Sequence, residues 1–167
     1  MGILINVNKL IEKLPNTAQL RMFGVAKIPL MFLVNPSVEE LSKNTCKVKI
    51  PLNYITRNHL KSMYFGSLAI GADTVVALFA LEIIKEYQDL KIVPIFKDLK
   101  ADFLKRAEAD VVFECDAGEQ IRNMIQQAKE SGGRVTETVK VVARCPSISD
   151  EAVATFDMGF SLKVKAY

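Results

Sequence analysis

An acidic side chain lies in the middle of a long apolar stretch of this chain. Residues 63–81 read MYFGSLAIGADTVVALFAL, and Asp73 is the one charged residue among them. Apolar helices normally exclude a carboxylate, because burying it without a partner costs several kcal/mol or raises its pKa. A carboxyl group with a raised pKa is suited to accept a proton near neutral pH. Asp73 is therefore a candidate functional residue.

Small residues stand near the beginning of the same stretch. Phe65, Gly66 and Ser67 open a predicted helix that extends to about Tyr87. The first N–H groups of a helix have no partner within it, and such groups can bind a developing negative charge. An acid within the helix and an anion-binding helix start together have the chemistry of a catalytic site.

Several segments elsewhere in the chain predict strands that can surround this helix. Their apolar and polar residues alternate, which is typical of half-buried β-strands. The segments are residues 45–52, 92–104, 110–115, 134–144 and 153–164. In the second of them we expect Ile95, Leu99, Ala101 and Phe103 to share one face, with Lys97 as an exception to the alternation.

Two further helical regions are predicted. Near the N-terminus, apolar residues at helical spacing predict a short amphipathic helix, followed by another helical turn over residues 17–24. Those apolar residues are Val7, Leu10, Ile11 and Leu14. A second helix is predicted over residues 117–130, where Asp116 and Glu119 form a capping-box-like start and Gly132-Gly133 supplies the stop.

The segment between the N-terminal helix and the first alternating strand is ambiguous. Residues 28–34 are apolar but contain Pro29, so they are either a buried strand that begins after the proline or a loop. Residues 39–43 are interpreted as a polar turn.

A helix that is hydrophobic nearly all round must be surrounded by other elements. A twisted antiparallel sheet wrapped around it satisfies this requirement, so the predicted class is α+β. We expect one domain over residues 1–167, with a helical extension over residues 1–27 and a core over residues 28–167.

Composition argues against several classes of function. The net charge of +3 is too small to indicate nucleic-acid binding. The three cysteines have no zinc-site spacing, and His59 is the sole histidine, so no metal site is expected. An odd number of cysteines without a secretion signal indicates a reducing, cytoplasmic location.

The apolar stretch is long enough to be considered as a membrane span. Residues 62–84 exceed the length of about 20 residues that a bilayer requires. Asp73 would then lie near the middle of the membrane, where an unpaired charge is costly. The amphipathic strands also need a core to cover their apolar faces, so we favour a central helix of a soluble domain.

Residues 58–73, NHLKSMYFGSLAIGAD, resemble the signature of hotdog-fold acyl-CoA thioesterases of the phenylacetyl-CoA type. In that family an asparagine precedes a small-residue helix start, and an acid follows on the helix. The similarity is greatest to an uncharacterised bacterial branch, which resembles the thioesterase-like domain fused to some acetyltransferases. Residues 96–115 are also similar to this branch, and the resemblance covers residues 28–165.

The resemblance implies a role for individual residues. Asp73 matches the acid that activates water, and the backbone N–H of Phe65 or Gly66 matches the oxyanion hole. Asn58 matches the side chain that holds the thioester carbonyl. We expect the neighbouring residues Tyr64, His59 and Ser67 to contact the substrate. Coenzyme A is expected as part of the substrate, and no other cofactor is implied.

The spacing of these residues predicts a dimer. From Phe65 to Asp73 is eight residues, or about 12 Å along a helix. That distance is too long for one helix to provide both the acid and the oxyanion hole for one carbonyl. If two copies of the helix run antiparallel across a two-fold axis, each acid approaches the other helix start. A homodimer with two composite sites follows, and further association into a tetramer is left open.

Other functions remain as alternatives at this point. The His-Gly-Gly that is typical of the family is Tyr64-Phe65-Gly66 here, and this favours a non-catalytic hotdog module that binds an acyl chain or a protein partner. A hotdog dehydratase ranks last, because His59 precedes the helix rather than lying within it.

Overall fold

The structure, a computed structural model, describes residues 16–165 and confirms the α+β class. The N-terminal helix predicted from Val7 to Leu14 lies outside the described residues. The helices are α1 (Asn16–Lys27), α2 (Pro29–Leu33), α3 (Phe65–Ile84) and α4 (Gly118–Ser131). The strands are β1 (Ser37–Leu41), β2 (Cys46–Ile50), β3 (Lys91–Phe103), β4 (Val111–Cys115), β5 (Arg134–Cys145) and β6 (Ser149–Lys165).

The strands form one antiparallel sheet that covers the central helix. Their order is β1-β2-β4-β5-β6-β3, so β1 and β3 are the edges. Apolar side chains from the inner face of the sheet and from one side of α3 form the core. Gly71 allows α3 to lie close to β4, because a Cβ atom there would overlap the buried ring of Phe113. The predicted central helix is therefore confirmed.

A β-bulge in β3 corrects the predicted face of Ile95. Phe96 pairs with Phe160, but the next register pair joins Asp98 to Gly159, so Lys97 is the extra residue. An extra residue reverses the alternation of side chains beyond it. Leu99 therefore shares the inner face with Phe96, whereas Ile95 points to the opposite face. The apparent exception at Lys97 was the signature of the bulge.

The ambiguous segment forms neither a strand nor a loop. Residues 29–33 are the short helix α2, with Pro29 in its first turn, where the missing N–H is not needed. The helix packs closely on α1, because a Cβ atom at Gly24 would lie 3.0 Å from the backbone nitrogen of Phe32. The sequence of this segment is compatible with several structures, and packing against α1 and α3 selects the helix.

The predicted polar turn over residues 39–43 begins too early, because β1 extends to Leu41. The acidic residues of β1 form ion pairs with lysines of β2, Glu40 with Lys47 at 3.1 Å and Glu39 with Lys49 at 2.9 Å. These cross-strand pairs support a strand in a segment whose composition is typical of a turn.

Helix α4 ends as predicted but begins differently. Gly132 terminates it in the left-handed conformation, with φ of 64°. No side chain caps its start at Ala117, so the predicted capping box of Asp116 and Glu119 is wrong. Instead, the N–H of Gly118 donates to the carbonyl of Asn44 in the β1–β2 turn at 3.2 Å.

Helix α3 has the length and apolar composition of a membrane span, and it is the one such helix in the described part of the chain. Its mean hydropathy is 1.9, but 56% of its most apolar stretch is buried inside the protein. The sheet covers this part of the helix, which is typical of a core helix.

We predict that Gly118→Ala destabilises the protein by about 1–3 kcal/mol, because overpacking forces backbone shifts. A Cβ atom at Gly118 would lie 2.5 Å from the carbonyl oxygen of Lys43 and 2.6 Å from the Cα of Asn44. Gly133→Ala is the matched control, since its Cβ atom would meet only the Ser131 hydroxyl at 3.5 Å. Urea unfolding measures both variants, and equal stabilities would refute the close docking of α4 on the turn.

Candidate active site

The loop before α3 is held by two asparagine-centred turns. In the first, the side-chain oxygen of Asn53 accepts the N–H of Ile55 at 2.8 Å. Thr56 is fully buried, and its hydroxyl donates to the carbonyl of Pro51 at 2.6 Å. These local hydrogen bonds replace those that a helix or a strand would make, and they hold the irregular loop in its conformation.

The second turn is centred on Asn58. Its side-chain oxygen accepts the N–H groups of Leu60 at 2.8 Å and Ser62 at 3.3 Å. Its amide nitrogen donates to the hydroxyl of Ser62 at 3.1 Å. Lys61 within this turn has a φ of 64°. The structure thus shows Asn58 closing a loop, and its contact with a substrate carbonyl stays a prediction.

Two backbone hydrogen bonds fix the residues immediately before α3. The N–H of Met63 donates to the carbonyl of Ala107, and that of Tyr64 donates to the carbonyl of Thr56, both at 2.8 Å. The helix then begins at Phe65, and Leu68 makes the first bond back to the carbonyl of Tyr64 at 3.1 Å. No side chain caps this helix start.

The candidate donors at the helix start are the N–H groups of Phe65 and Gly66, whereas Ser67 is buried. An α-helix leaves the N–H groups of its first turn without intrahelical partners. Such donors, held by a rigid loop, can stabilise an oxyanion without reorganising during the reaction. The oxyanion-hole role of the Phe65 and Gly66 N–H groups stays a prediction.

Aromatic rings surround the helix start. The Tyr64 and Phe65 rings lie 4.7 Å apart, and Phe65 lies 6.5 Å from the ring of Phe103 on β3. Phe103 in turn contacts Phe156 of β6 at 6.2 Å. The sequence placed Phe103 and Phe156 in strands but did not predict that they lie near the helix start, because this depends on the register of β3 and β6.

The carboxyl group of Asp73 is half-buried and has no hydrogen-bond or ion-pair partner within residues 16–165. Burial raises its pKa above the ordinary value of 3.8. It lies on the face of α3 that the sheet leaves open, together with Gly66, Ile70 and Ala77, which are spaced by one helical turn or two. Its role as the acid that activates water stays a prediction.

The remaining predicted site residues have different surroundings. His59 is exposed in the Asn58 turn, and Tyr64 is 46% exposed with its ring against Gly66. Ser67 is buried, so the structure shows no exposed polar group of this residue at the helix start. Their contacts with a substrate stay predictions.

One chain does not bring the acid and the helix start together. Asp73 and Phe65 are separated by eight residues of the same straight element, or about 12 Å. Asp73 nevertheless lies on the uncovered face of α3, and Phe65 lies at its exposed start.

The cysteines and the other acidic residues provide no second site. Burial raises the pKa of the Cys46 and Cys115 thiols to about 12, and Cys145 is buried as well. Such thiols are unreactive. In the part of the chain that is described, no three His, Cys, Asp or Glu side chains are grouped as metal ligands would be.

The family of the chain follows from a match to residues 16–159, which include every candidate site residue. The matching family is described as a domain of unknown function, DUF4442. The chain belongs to this family. No curated protein matches its sequence significantly.

Solved structures share the architecture of this DUF4442 chain. A Pseudomonas aeruginosa protein of unknown function, described as a candidate thioesterase, is 22% identical with a TM-score of 0.73, and the alignment covers 91% of this chain and 97% of that one. A Haemophilus influenzae thioesterase is 9% identical with a TM-score of 0.61, covering 98% and 92%. These similarities confirm the predicted hotdog fold.

We predict that Asp73→Asn stabilises the protein at neutral pH. A carboxyl group whose pKa is raised by folding does not lower stability below its unfolded pKa of about 3.8; the loss of stability grows as the pH rises from there and is complete above the raised pKa. The stability difference between the variant and the wild type should therefore shrink as the pH falls towards 4.

Urea unfolding across this pH range measures the difference. Asp89→Asn is the matched control, because Asp89 is exposed and the substitution should change stability by no more than about 0.5 kcal/mol. A variant at residue 73 that is less stable than the wild type at neutral pH would contradict an unpaired carboxyl group.

Proposed function

We propose that this protein hydrolyses an acyl thioester of coenzyme A or of an acyl carrier at a site shared by two protomers. The observation that carries the proposal is the half-buried, unpaired carboxyl group of Asp73 on the open face of α3. The uncapped start of the same helix supplies donors for an oxyanion. The Haemophilus influenzae relative, which shares the fold, is named a thioesterase.

The edge strand β3 supports the dimer. It is 13 residues long and pairs only with β6 among residues 16–165, so no other described strand covers its second edge. Ile95, Leu99 and Phe103 on this strand are exposed by 43–51%. These exposed apolar side chains are candidates for packing against a second copy, whereas Pro94 and the bulge at Lys97 disfavour strand pairing along this edge.

The start of α3 and the end of β3 are neighbours. The contact between the rings of Phe65 and Phe103 joins the helix start to the end of β3. A two-fold related copy that covered both would bury apolar surface and bring each Asp73 towards the other helix start. A tetramer built from two such dimers is compatible with this arrangement.

The proposed reaction is acyl transfer to water. The Asp73 carboxylate of one protomer removes a proton from water, and the water oxygen attacks the thioester carbonyl carbon. The resulting oxyanion is stabilised by the N–H groups of Phe65 and Gly66 of the other protomer, and one such donor is worth about 3–4 kcal/mol. The carbon–sulfur bond then breaks, and the leaving thiolate takes up a proton.

A second route uses the same residues. Asp73 could attack the carbonyl directly and form a mixed anhydride, which water then hydrolyses. Both routes require the unpaired carboxylate and the open helix start, and neither requires a cofactor besides the coenzyme A of the substrate. With its three buried cysteines, the protein suits the reducing cytoplasm.

One observation favours a second candidate function. The ring of Phe65 is 60% exposed at the helix start, where the resembling thioesterases have glycine. A bulky side chain there suits a non-catalytic module that holds an acyl chain or a partner. Hydrolysis in solution distinguishes the two functions.

We predict that Asp73→Asn lowers kcat for thioester hydrolysis by about 100- to 10,000-fold, since a general base contributes that much. The fold should be retained, because the amide has nearly the shape of the carboxyl group. Thiol release from a panel of acyl-CoA substrates measures the loss. Asp89→Asn is the control and should keep full turnover, and undiminished turnover in Asp73→Asn would remove this residue from the mechanism.

We also predict that Phe65→Pro lowers kcat by about 100- to 1,000-fold, because it removes one oxyanion donor. Proline is tolerated at the first position of a helix, and Tyr64 before it already has the extended conformation, with φ of −66° and ψ of 138°. Phe65→Ala is the control, since it removes the same ring but keeps the N–H group. If both variants lose activity equally, the ring rather than the backbone donor matters.

A further inference from the structure

A groove separates the N-terminal helices from the second half of α3. Its volume is about 350 Å³, at the lower end of the range for small-molecule sites. Leu20, Phe23 and Met31 form the wall on the side of α1 and α2. Ala77, Leu78 and Leu81 form the wall on the side of α3. Gln19 also lines the groove on the side of α1, so both walls are mainly but not wholly apolar.

The near end of this groove adjoins Asp73. Ala77 follows Asp73 by one helical turn, so the two side chains are neighbours on the open face of α3. From Ala77 the lining continues along the helix to Lys85, a distance of about 12 Å. The groove thus leads away from the proposed reaction centre and away from the start of its own helix.

The far end of the groove is polar. Lys85 and Glu82 line it there and form an ion pair at 2.6 Å with side chains that remain partly exposed. An apolar ligand that extends beyond this pair would have to pass a charged rim. The groove therefore has a defined length as well as an apolar lining.

We propose that this groove holds the acyl chain of the substrate and selects chains of medium length. The inference rests on the proposed thioesterase function, because the thioester carbonyl must lie beside Asp73 for its chain to enter at Ala77. The mainly apolar walls of the groove match a flexible hydrocarbon chain. Helices α1 and α2 then act as one wall of the acyl site, which gives the N-terminal extension a function.

The occupant follows from the chemistry of the walls. Pantetheine carries amide groups that need hydrogen-bond partners, whereas the middle of this groove offers Leu, Phe, Met and Ala side chains. A hydrocarbon chain needs no such partners, and each methylene that it buries increases binding about fourfold.

The test measures kcat/KM of the full-length protein for acyl-CoA substrates from acetyl to palmitoyl. The wild type should gain up to about fourfold per methylene until the groove is filled, and then no more. Leu81→Trp fills the groove, so its loss should grow with chain length and reach about tenfold or more for decanoyl-CoA. Leu30→Trp is the matched control, since Leu30 is 63% exposed on α2 and does not line the groove.

A binding measurement separates this inference from the proposed function. Decanoate binding to the Asp73→Asn protein, measured by calorimetry, should weaken about tenfold or more when Leu81→Trp is added. If no thioester is hydrolysed but this weakening is seen, the thioesterase proposal fails and the acyl groove stands. If thioesters are hydrolysed with no dependence on chain length and Leu81→Trp changes nothing, the groove inference is overturned and the thioesterase proposal stands.

Discussion

An unpaired carboxyl group within the central helix is the constraint on which the rest of this account depends. Asp73 is half-buried among apolar residues, and folding raises its pKa. A polar group in such a place destabilises the folded state unless a partner compensates for its burial. A group without such a partner is a candidate functional residue. The described part of the chain supplies no partner. We therefore propose that substrate and a second protomer approach Asp73 at the open face of α3.

The rigid loop before α3 complements this acid. The turns of Asn53 and Asn58, and the bond from Tyr64 to Thr56, satisfy the polar groups of an irregular segment within the protein itself. The loop therefore fixes the first residue of the helix without using the N–H groups of its first turn. Those donors are then held in place before any reaction, and preorganised donors of this kind contribute most to electrostatic catalysis.

The proposed role of the groove beside α3 is to determine which acyl chains the protein accepts. It begins one turn beyond Asp73 and is bounded by helices that lie outside the sheet and its central helix. Chemistry and chain selection would thus use different segments of one helix. Variation in α1 and α2 could then change the preferred substrate while the acid and the helix start stay unchanged.

The central helix, most strands and α4 could be predicted from the sequence, because their apolar periodicity is long and regular. Helix α2 could not, since five residues around a proline carry no period and packing on α1 decides their structure. The face of Ile95 was wrong because one extra residue at Lys97 reverses the alternation, a change visible only in the strand register. Asp73 was found from its charge in an apolar run.

The groove and the ring of Phe103 were not predicted, because both depend on contacts between elements distant in sequence.

Mixing two inactive variants tests the shared site most directly. Asp73→Asn and Phe65→Pro proteins, unfolded and refolded together, form mixed dimers in which one site has both the acid and the intact helix start. The account predicts recovery of about a quarter of wild-type thioester hydrolysis, since half of the dimers are mixed and each holds one working site. No recovery, although mixed dimers are shown to form, would contradict an acid and an oxyanion hole supplied by different protomers.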